Sequence, residues 1–220
     1  MTINNEAVRR HFPALSRGEI FLDNPAGTQV AQTVLDRMLA YLVESNANHG
    51  AAFATSRASD AVVDEARAAA ADFLNASRPE EIVFGPNMTS LTSNISRSLA
   101  RWLKPGDEIV VTRLDHDGNI TPWTMIAEER GCRVRWIDFH PGDGALDMDE
   151  MRAAIENGPK LVAVGYASNA LGTINPVREI VRMAHDAGAL VYIDAVQYAP
   201  HGPIDVQYLD CDFLVASAYK

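Results

Sequence analysis

The chain has 220 residues, of which 47% are hydrophobic and 22% are charged. This is the composition of an ordinary globular protein, so a mainly disordered chain and a fibrous or low-complexity chain are both excluded. The net charge is −10, from 19 lysines and arginines against 29 aspartates and glutamates. Binding to nucleic acid or to an anionic membrane needs clustered positive charge, so this balance argues against both kinds of partner.

Targeting and metal signals are also missing from the sequence. The longest apolar runs, such as residues 161–164 and 189–193, are far shorter than the ~20 residues that span a bilayer. Residues 1–10 are polar and lack the apolar segment of a secretion signal. Cys132 and Cys211 are too few for a disulfide framework, and the cysteines and histidines form no metal-binding spacing. These features predict a cytoplasmic protein without a metal site.

The first part of the chain alternates short apolar patterns with polar stretches. Residues 20–23 are typical of a short strand, which Asn24, Pro25 and Gly27 then end. Apolar residues at helical spacing predict an amphipathic helix over 29–43, capped by Thr28 and with its apolar face in a core. Residues 45–56 lack periodicity and are predicted to form a polar loop.

An alanine-rich helix is predicted next, starting at a cap on Ser59 or Asp60 and ending near Asn75. A short strand over 81–84 follows, and the breaker Gly-Pro-Asn at 85–87 leads into a helix that starts at Met88. From there strands and helices alternate. The predicted strands are 108–112, 133–138, 160–167, 190–194 and 213–216, and the predicted helices between them are 123–129, 148–156 and 177–187.

This alternation predicts one α/β domain with a mostly parallel sheet and helices on both faces. Runs such as Leu-Val-Ala-Val at 161–164 are apolar without alternation, as expected when both faces of a sheet are covered. The sequence contains no Gly-x-Gly-x-x-Gly, Walker-type, Cys-x-x-Cys or His-Glu-x-x-His motif. Dinucleotide, P-loop and zinc sites therefore lose most of their support.

Polar residues at the carboxyl ends of the predicted strands are the candidates for chemistry, because open α/β sheets bind ligands at that edge. They are His116, Asn169, Asp194, Gln197, Ser217 and Lys220. The turn at 85–90 adds free backbone N–H groups at a helix N-terminus and the hydroxyls of Thr89 and Ser90, which together suit a phosphate.

Each candidate also has an ordinary structural interpretation. A buried Asp194 needs a partner, which is either a cationic ligand atom or the backbone of the next turn. Lys220 is either a desolvated amine able to form a Schiff base or a solvated surface lysine. Thr89 and Ser90 are equally typical of helix caps, and His116 of a surface ion pair with its neighbouring aspartates. The residues alone leave these alternatives open.

Five motifs, in order and spacing, resemble those of the class V aminotransferases, which are pyridoxal-phosphate (PLP) enzymes of fold type I. They are FLDNPAG at 21–27, DHDGN at 115–119 followed by Pro122 and Trp123, SNALGT at 168–173, IDAVQ at 193–197 and SAYK at 217–220. Within that class the chain is most similar to the cysteine desulfurase-like subgroup, from about Phe12 to the last residue.

The resemblance implies roles for the candidate residues. Lys220 would form the Schiff base with PLP, Asp194 would hold the pyridine nitrogen protonated, and His116 would stack on the ring. Asn169 and Gln197 would hydrogen-bond near the phenolic oxygen. Thr89, Ser90 and Ser217 would bind the phosphate. Two positions depart from the desulfurase pattern, which commonly has histidine where this chain has Tyr219 and histidine or lysine at Asp117.

The implied activity is PLP-dependent chemistry on an amino acid, desulfurase-like, with Cα deprotonation followed by elimination or sulfur transfer. An aminotransferase, a lyase, a truncated noncatalytic fragment and an α/β scaffold without cofactor are the alternatives. The resemblance also implies a homodimer and leaves any sulfur acceptor protein unknown. We expect an N-terminal segment at 1–30 and an incomplete PLP-binding large domain at 31–220 that ends at the PLP lysine, with the C-terminal small domain absent.

Overall fold

The computed structural model describes residues 3–220. They form two compact units. The first comprises residues 3–72, Arg78–Ile82 and Tyr219–Lys220, and the second comprises Phe73–Ser77 and Val83–Ala218. No helix in the described chain is both long enough and apolar enough to cross a membrane.

The second unit holds a five-stranded sheet in which every neighbouring pair is parallel, with the order β2-β1-β3-β4-β5. The strands are β1 (Glu108–Thr112), β2 (Arg133–Ile137), β3 (Leu161–Gly165), β4 (Leu190–Asp194) and β5 (Phe213–Val215). The α-helices of the described chain are α1 (Asn5–Arg9), α2 (Gln32–Ala40), α3 (Ala54–Leu74), α4 (Met88–Leu99), α5 (Thr121–Arg130), α6 (Met148–Glu156), α7 (Val177–Asp186) and α8 (Val206–Leu209).

Both faces of the sheet are covered by apolar side chains, because successive residues of a strand point to opposite faces. On one face Val110 belongs to a buried cluster that includes Met151 of α6 and Ile180 of α7. On the other face Ile109 belongs to a second buried cluster that includes Trp123 of α5. The prediction of a parallel sheet with helices on both faces is therefore confirmed.

The strand register brings the carboxyl ends of the central strands to one edge. Gly165 at the end of β3 pairs with Asp194 at the end of β4. Asp194 pairs in turn with Val215 at the end of β5. The Tyr166 N–H donates to the Asp194 carbonyl oxygen (2.7 Å), so the main chain beyond β3 is fixed against the end of β4.

The predicted bounds of the helices and strands from Met88 onward agree closely with the structure. β1, β4 and α6 have the predicted bounds, and the others differ by a few residues. The strand predicted at 81–84 is wrong. Its first residue closes a 3-10 turn, Pro79–Glu81, and the rest is irregular. A strand needs a neighbouring strand to take up its backbone hydrogen bonds, and none pairs with this run in the described chain.

The first unit departs further from prediction. The strand predicted at 20–23 is irregular and, like 81–84, has no pairing partner among residues 3–220. The helix predicted over 29–43 is α2, which begins later than predicted. Its N-cap residue is Ala31 and not Thr28, and it continues into a π-helical turn, Tyr41–Ser45. Its apolar face was expected in a core, but Met38 and Leu42 are exposed at 58% and 59%.

The second helix of this unit starts earlier than its predicted caps. α3 begins at Ala54, which places Ser59 and Asp60 inside the helix and shortens the predicted loop to residues 46–53. Ser59 is buried, and its Oγ is hydrogen-bonded to the Tyr41 hydroxyl (2.8 Å) and donates to the Ala47 carbonyl (3.0 Å). The serine that looked like a cap therefore ties the loop to the helix.

Candidate active site

The N-terminus of α4 is capped by Asn87, which corrects the interpretation of Thr89 and Ser90 as plain caps. The Asn87 Oδ1 accepts a hydrogen bond from the Ser90 N–H (2.9 Å). The Ser217 Oγ, beyond β5, accepts from the Met88 N–H (3.2 Å). Both bonds satisfy orphan donors of the first helical turn. The hydroxyls of Thr89 and Ser90 then remain at a helix end whose dipole favours an anion.

The turn after β1 brings His116 to the same helix end. A 3-10 turn, Asp117–Asn119, follows His116, and the Gly118 N–H donates to the His116 Nδ1 (3.0 Å). A Cβ placed on Gly118 would lie 2.8 Å from the Thr89 Oγ1 and 3.1 Å from the His116 Nδ1. Only a glycine leaves room for these two side chains to approach. In the described chain His116 joins no ion pair, so that alternative is wrong.

Asp194 closes β4 and is only 6% exposed. Its Oδ1 accepts a hydrogen bond from the Val196 N–H (2.9 Å), so the carboxylate does cap the turn that follows the strand. One oxygen used in this way does not preclude a second partner, because a carboxylate has about four acceptor positions. A buried carboxylate at a sheet edge also suits a cationic ring nitrogen.

Asp115 is a functional candidate that sequence reasoning missed. Its Oδ1 accepts from the Gly165 N–H (2.8 Å), and its Oδ2 accepts from the Asn119 Nδ2 (2.9 Å). Burial and, to a smaller extent, the negative charge of Asp194 raise the pKa of Asp115 to about 7 against the opposing effect of these hydrogen bonds. The sequence feature that could have identified Asp115 is its position as the first residue of DHDGN, shortly after an apolar strand.

Asn169 and Gln197 are half-buried residues in the segments that follow β3 and β4. The Asn169 segment is held by its neighbours, since the Ser168 Oγ accepts from the Leu171 N–H (3.2 Å). The Asn175 Nδ2 donates a hydrogen bond to the Gly165 carbonyl oxygen at the end of β3 (2.7 Å). Both residues therefore lie in ordered turns that begin at the carboxyl edge.

Lys220 belongs to the first unit. Its Nζ donates to the Pro25 carbonyl oxygen, and the preceding residue, Tyr219, accepts at its carbonyl from the Thr28 N–H (3.3 Å). Within that unit the FLDNPAG motif and Thr28, which follows it, are thus in contact with Tyr219 and Lys220, the last two residues of SAYK. The second unit brings Thr89, His116, Asp115, Asp194 and Ser217 to the ends of its strands and of α4. This unit therefore has hydrogen-bond donors suited to an anion at one place and carboxylates at another.

Among residues 3–220 there is no group of three or more histidines, cysteines, aspartates or glutamates that could hold a metal ion. Cys132 and Cys211 are both partly buried, and burial raises the pKa of each thiol. A raised pKa disfavours the reactive thiolate, so neither cysteine has the character of a nucleophile.

Comparison with known proteins places this site in context. The family model for aminotransferase class V matches residues 20–220. The chain is 41% identical to the aminotransferase-like protein FGM3 of Gibberella zeae over 98% of its own length and 54% of that protein. It is 39% identical to a probable cysteine desulfurase of Synechocystis over 97% of its own length and 52% of that protein.

A solved structure gives the same result. The apo cysteine desulfurase of Thermococcus onnurineus superposes with a TM-score of 0.93 at 35% identity, covering 100% of this chain and 54% of that one. The chain spans about half the length of the curated relatives it matches.

Proposed function

Because the chain belongs to the class V aminotransferase family, we propose that it binds pyridoxal phosphate and carries the cofactor site of an enzyme acting on an amino acid. Class V aminotransferases and cysteine desulfurases use this cofactor. One observation carries the proposal: the buried carboxylate Asp194 and the α4 N-terminus, with Thr89, both lie at the carboxyl edge of the sheet in a chain of this family.

The residues of the second unit fit the two polar ends of the cofactor. Gly118 leaves open the space between Thr89 and His116 that a Cβ would fill. The Ser217 Oγ accepts from the Met88 N–H, so its own proton is available to a phosphate oxygen. Asp194 supplies the anion that a protonated pyridine nitrogen needs. The donor set thus matches a phosphate, and the buried carboxylate matches a cationic ring.

When bound, pyridoxal phosphate supplies a carbonyl carbon that joins an amine and a ring that withdraws electrons from the amino acid Cα. The chain's own residues do the rest. Asp194 would hold a proton at the ring nitrogen, His116 would lie against the ring, and Asn169 and Gln197 would donate hydrogen bonds near the phenolic oxygen. Lys220 would hold the cofactor through its Nζ, and its amine, once released from the cofactor, would accept the proton that leaves the Cα.

Sulfur removal from cysteine is the reaction we propose first, because two of the three proteins compared above are named as cysteine desulfurases. A transamination or lyase reaction is the second candidate, since another relative at similar identity is named as aminotransferase-like. A homodimer, a cytoplasmic location and a protein sulfur acceptor are parts of the same proposal. So is the division into a segment at 1–30 and a cofactor-binding domain at 31–220.

The experiment that tests the proposal uses the small number of lysines. The chain contains three, Lys104, Lys160 and Lys220. We would incubate the chain with pyridoxal phosphate, record the visible absorption band, reduce with borohydride and locate the adduct by mass spectrometry. The expected result is an adduct on Lys220 that is lost in Lys220→Ala, retained in Lys160→Ala and strongly reduced in Asp194→Ala. Equal labelling of all three lysines would overturn the proposal.

A further inference from the structure

Asp115 joins two strand ends and a turn of the carboxyl edge. It follows β1, and its two carboxyl oxygens accept from the Gly165 N–H at the end of β3 and from the Asn119 side chain in the next turn. The Asn119 Oδ1 accepts in turn from the indole N–H of the fully buried Trp123 (3.2 Å). This chain of hydrogen bonds runs from the sheet edge into the core.

The strand register places this carboxyl group beside Asp194. Gly165 and Asp194 are register partners on neighbouring parallel strands, so their side-chain positions lie on the same face of the sheet. A Cβ on Gly165 would lie 2.6 Å from the Asp115 Oδ1. The Asp115 carboxyl group therefore occupies the space that a side chain at Gly165 would fill, next to the Asp194 side chain.

Two neighbouring carboxyl groups, one buried at Asp194 and one half-buried at Asp115, do not both ionise at low free-energy cost. Of the two, Asp115 has a pKa that burial and Asp194 raise to about 7. The charged group that faces Asp115 is Asp194 from β4. The other elements around it present polar groups without charge, namely the Gly165 N–H from β3, the Thr112 hydroxyl from β1 and the Asn119 amide from the turn.

We propose that Asp115 is a positioning residue for Asp194 and, of the two neighbouring carboxyl groups, is the one that stays protonated near neutral pH. It fixes the end of β3 against the turn after β1 and leaves Asp194 as the negative charge of the pair. This inference rests on the proposed function for the use of that charge, which is to hold a proton at the cofactor's ring nitrogen. The protonation of Asp115 is a property of the chain without cofactor.

The first test is a pH titration of the side-chain carboxyl carbons by NMR on the cofactor-free chain. We expect the Asp115 carbon to titrate near neutral pH, and we expect the response that the Asp194 carbon shows in that same pH range to be lost in Asp115→Asn. Asp117→Asn is the matched control, because it removes an exposed aspartate from the same turn. A wild-type Asp115 carbon that titrates below about pH 5, near the ordinary range for aspartate, would overturn the proposal.

The second test is the pH dependence of unfolding in urea, again without cofactor. A group whose folded-state pKa lies above its unfolded value stabilises the fold when protonated, so this stability is lost as the pH rises from about 4 to about 7. Between pH 5 and pH 8 the folding constant of the wild type should fall on the order of 50-fold relative to that of Asp115→Asn. Asp117→Asn should follow the wild type.

An Asp115→Asn variant that keeps the wild-type pH slope would contradict the proposal. If that variant does not fold, the wild-type carboxyl titration alone decides, because its signal is assigned through the backbone amide of Asp115. Neither measurement contains pyridoxal phosphate. Failure here therefore leaves the prediction for Lys220 untouched, and failure of the Lys220 labelling leaves the protonation of Asp115 untouched.

Discussion

Gly165 shows how a single missing Cβ shapes the carboxyl edge. The residue ends β3, donates its N–H to Asp115 and is the register partner of Asp194. Its backbone does not have a positive φ, so the requirement for glycine is one of space and not of conformation. The space is taken by the Asp115 Oδ1, at 2.6 Å from an added Cβ. Two acidic residues thus approach each other because the residue between them has no side chain.

Gly165→Ala is therefore expected to destabilise the fold by roughly 1–3 kcal/mol, the usual cost of forcing atoms into a packed site. For a chain of this size that corresponds to a fall in Tm of a few degrees for each kcal/mol, measured by circular dichroism. Gly142→Ala is the control, because nothing lies within 4 Å of its added Cβ and its φ is not positive. Equal stability of the two variants would contradict the close approach seen at Gly165.

At the scale of the element, α4 is fixed at its first turn by two side chains from different parts of the chain. The Asn87 side chain accepts a hydrogen bond from the Ser90 N–H within the turn. The Ser217 hydroxyl, beyond β5, accepts one from the Met88 N–H. Deeper in the helix, the Thr92 hydroxyl is hydrogen-bonded to the Tyr192 hydroxyl of β4 (2.9 Å). The end of the helix that carries the proposed phosphate site is thus held against the sheet.

Asn87→Ala should cost about 1 kcal/mol of stability, since it removes the side chain that caps α4. The same variant should weaken retention of pyridoxal phosphate, because the first turn that holds Thr89 and Ser90 frays. Urea unfolding and equilibrium dialysis measure the two effects. Asn94→Ala, at an exposed interior position of α4, serves as the control and should be neutral or slightly stabilising, given the helix propensity of alanine. An unchanged urea midpoint for Asn87→Ala would argue against the cap.

The elements that sequence patterns predicted well are those whose partners follow in regular alternation. β1, α6 and β4 have their predicted bounds because each contributes apolar residues to a face that the next element covers. The runs at 20–23 and 81–84 contain similar residues but have no strand beside them in the described chain. A local sequence pattern does not show whether a second strand is available for pairing, and this is why strands were wrongly predicted for both runs.

The sequence predicted those site residues that directly follow a strand or belong to one of the ordered motifs. Polar residues after strands, such as Asp194, are visible in the sequence because the apolar run before them is unbroken. Asp115 was missed since its burial depends on Gly165, a residue 50 positions away in the chain. The cap on α4 was missed for a simpler reason, because Asn87, Thr89 and Ser90 all have cap-forming side chains.

At the scale of the whole molecule, charge and apolar surface act in opposite directions. The net charge of −10 opposes self-association. In the first unit, however, α2 and its π-helical end expose apolar side chains in succession, with Leu39 at 63% and Val43 at 75%. Large apolar side chains grouped in this way are typical of a surface that another protein covers. The homodimer in the proposed function is supported by this surface.

Leu39→Lys tests that role, because placing a charged group in an apolar contact costs more than the contact provides. Sedimentation velocity over a range of concentrations should show association of the wild type, with at least a roughly tenfold weaker dimer constant for Leu39→Lys. Thr33→Lys adds the same charge at another exposed position of α2 and is the matched control. If both variants associate like the wild type, the exposed face of α2 does not form the contact, whereas equal weakening of both would assign the effect to a charge placed anywhere on α2 and not to the loss of Leu39.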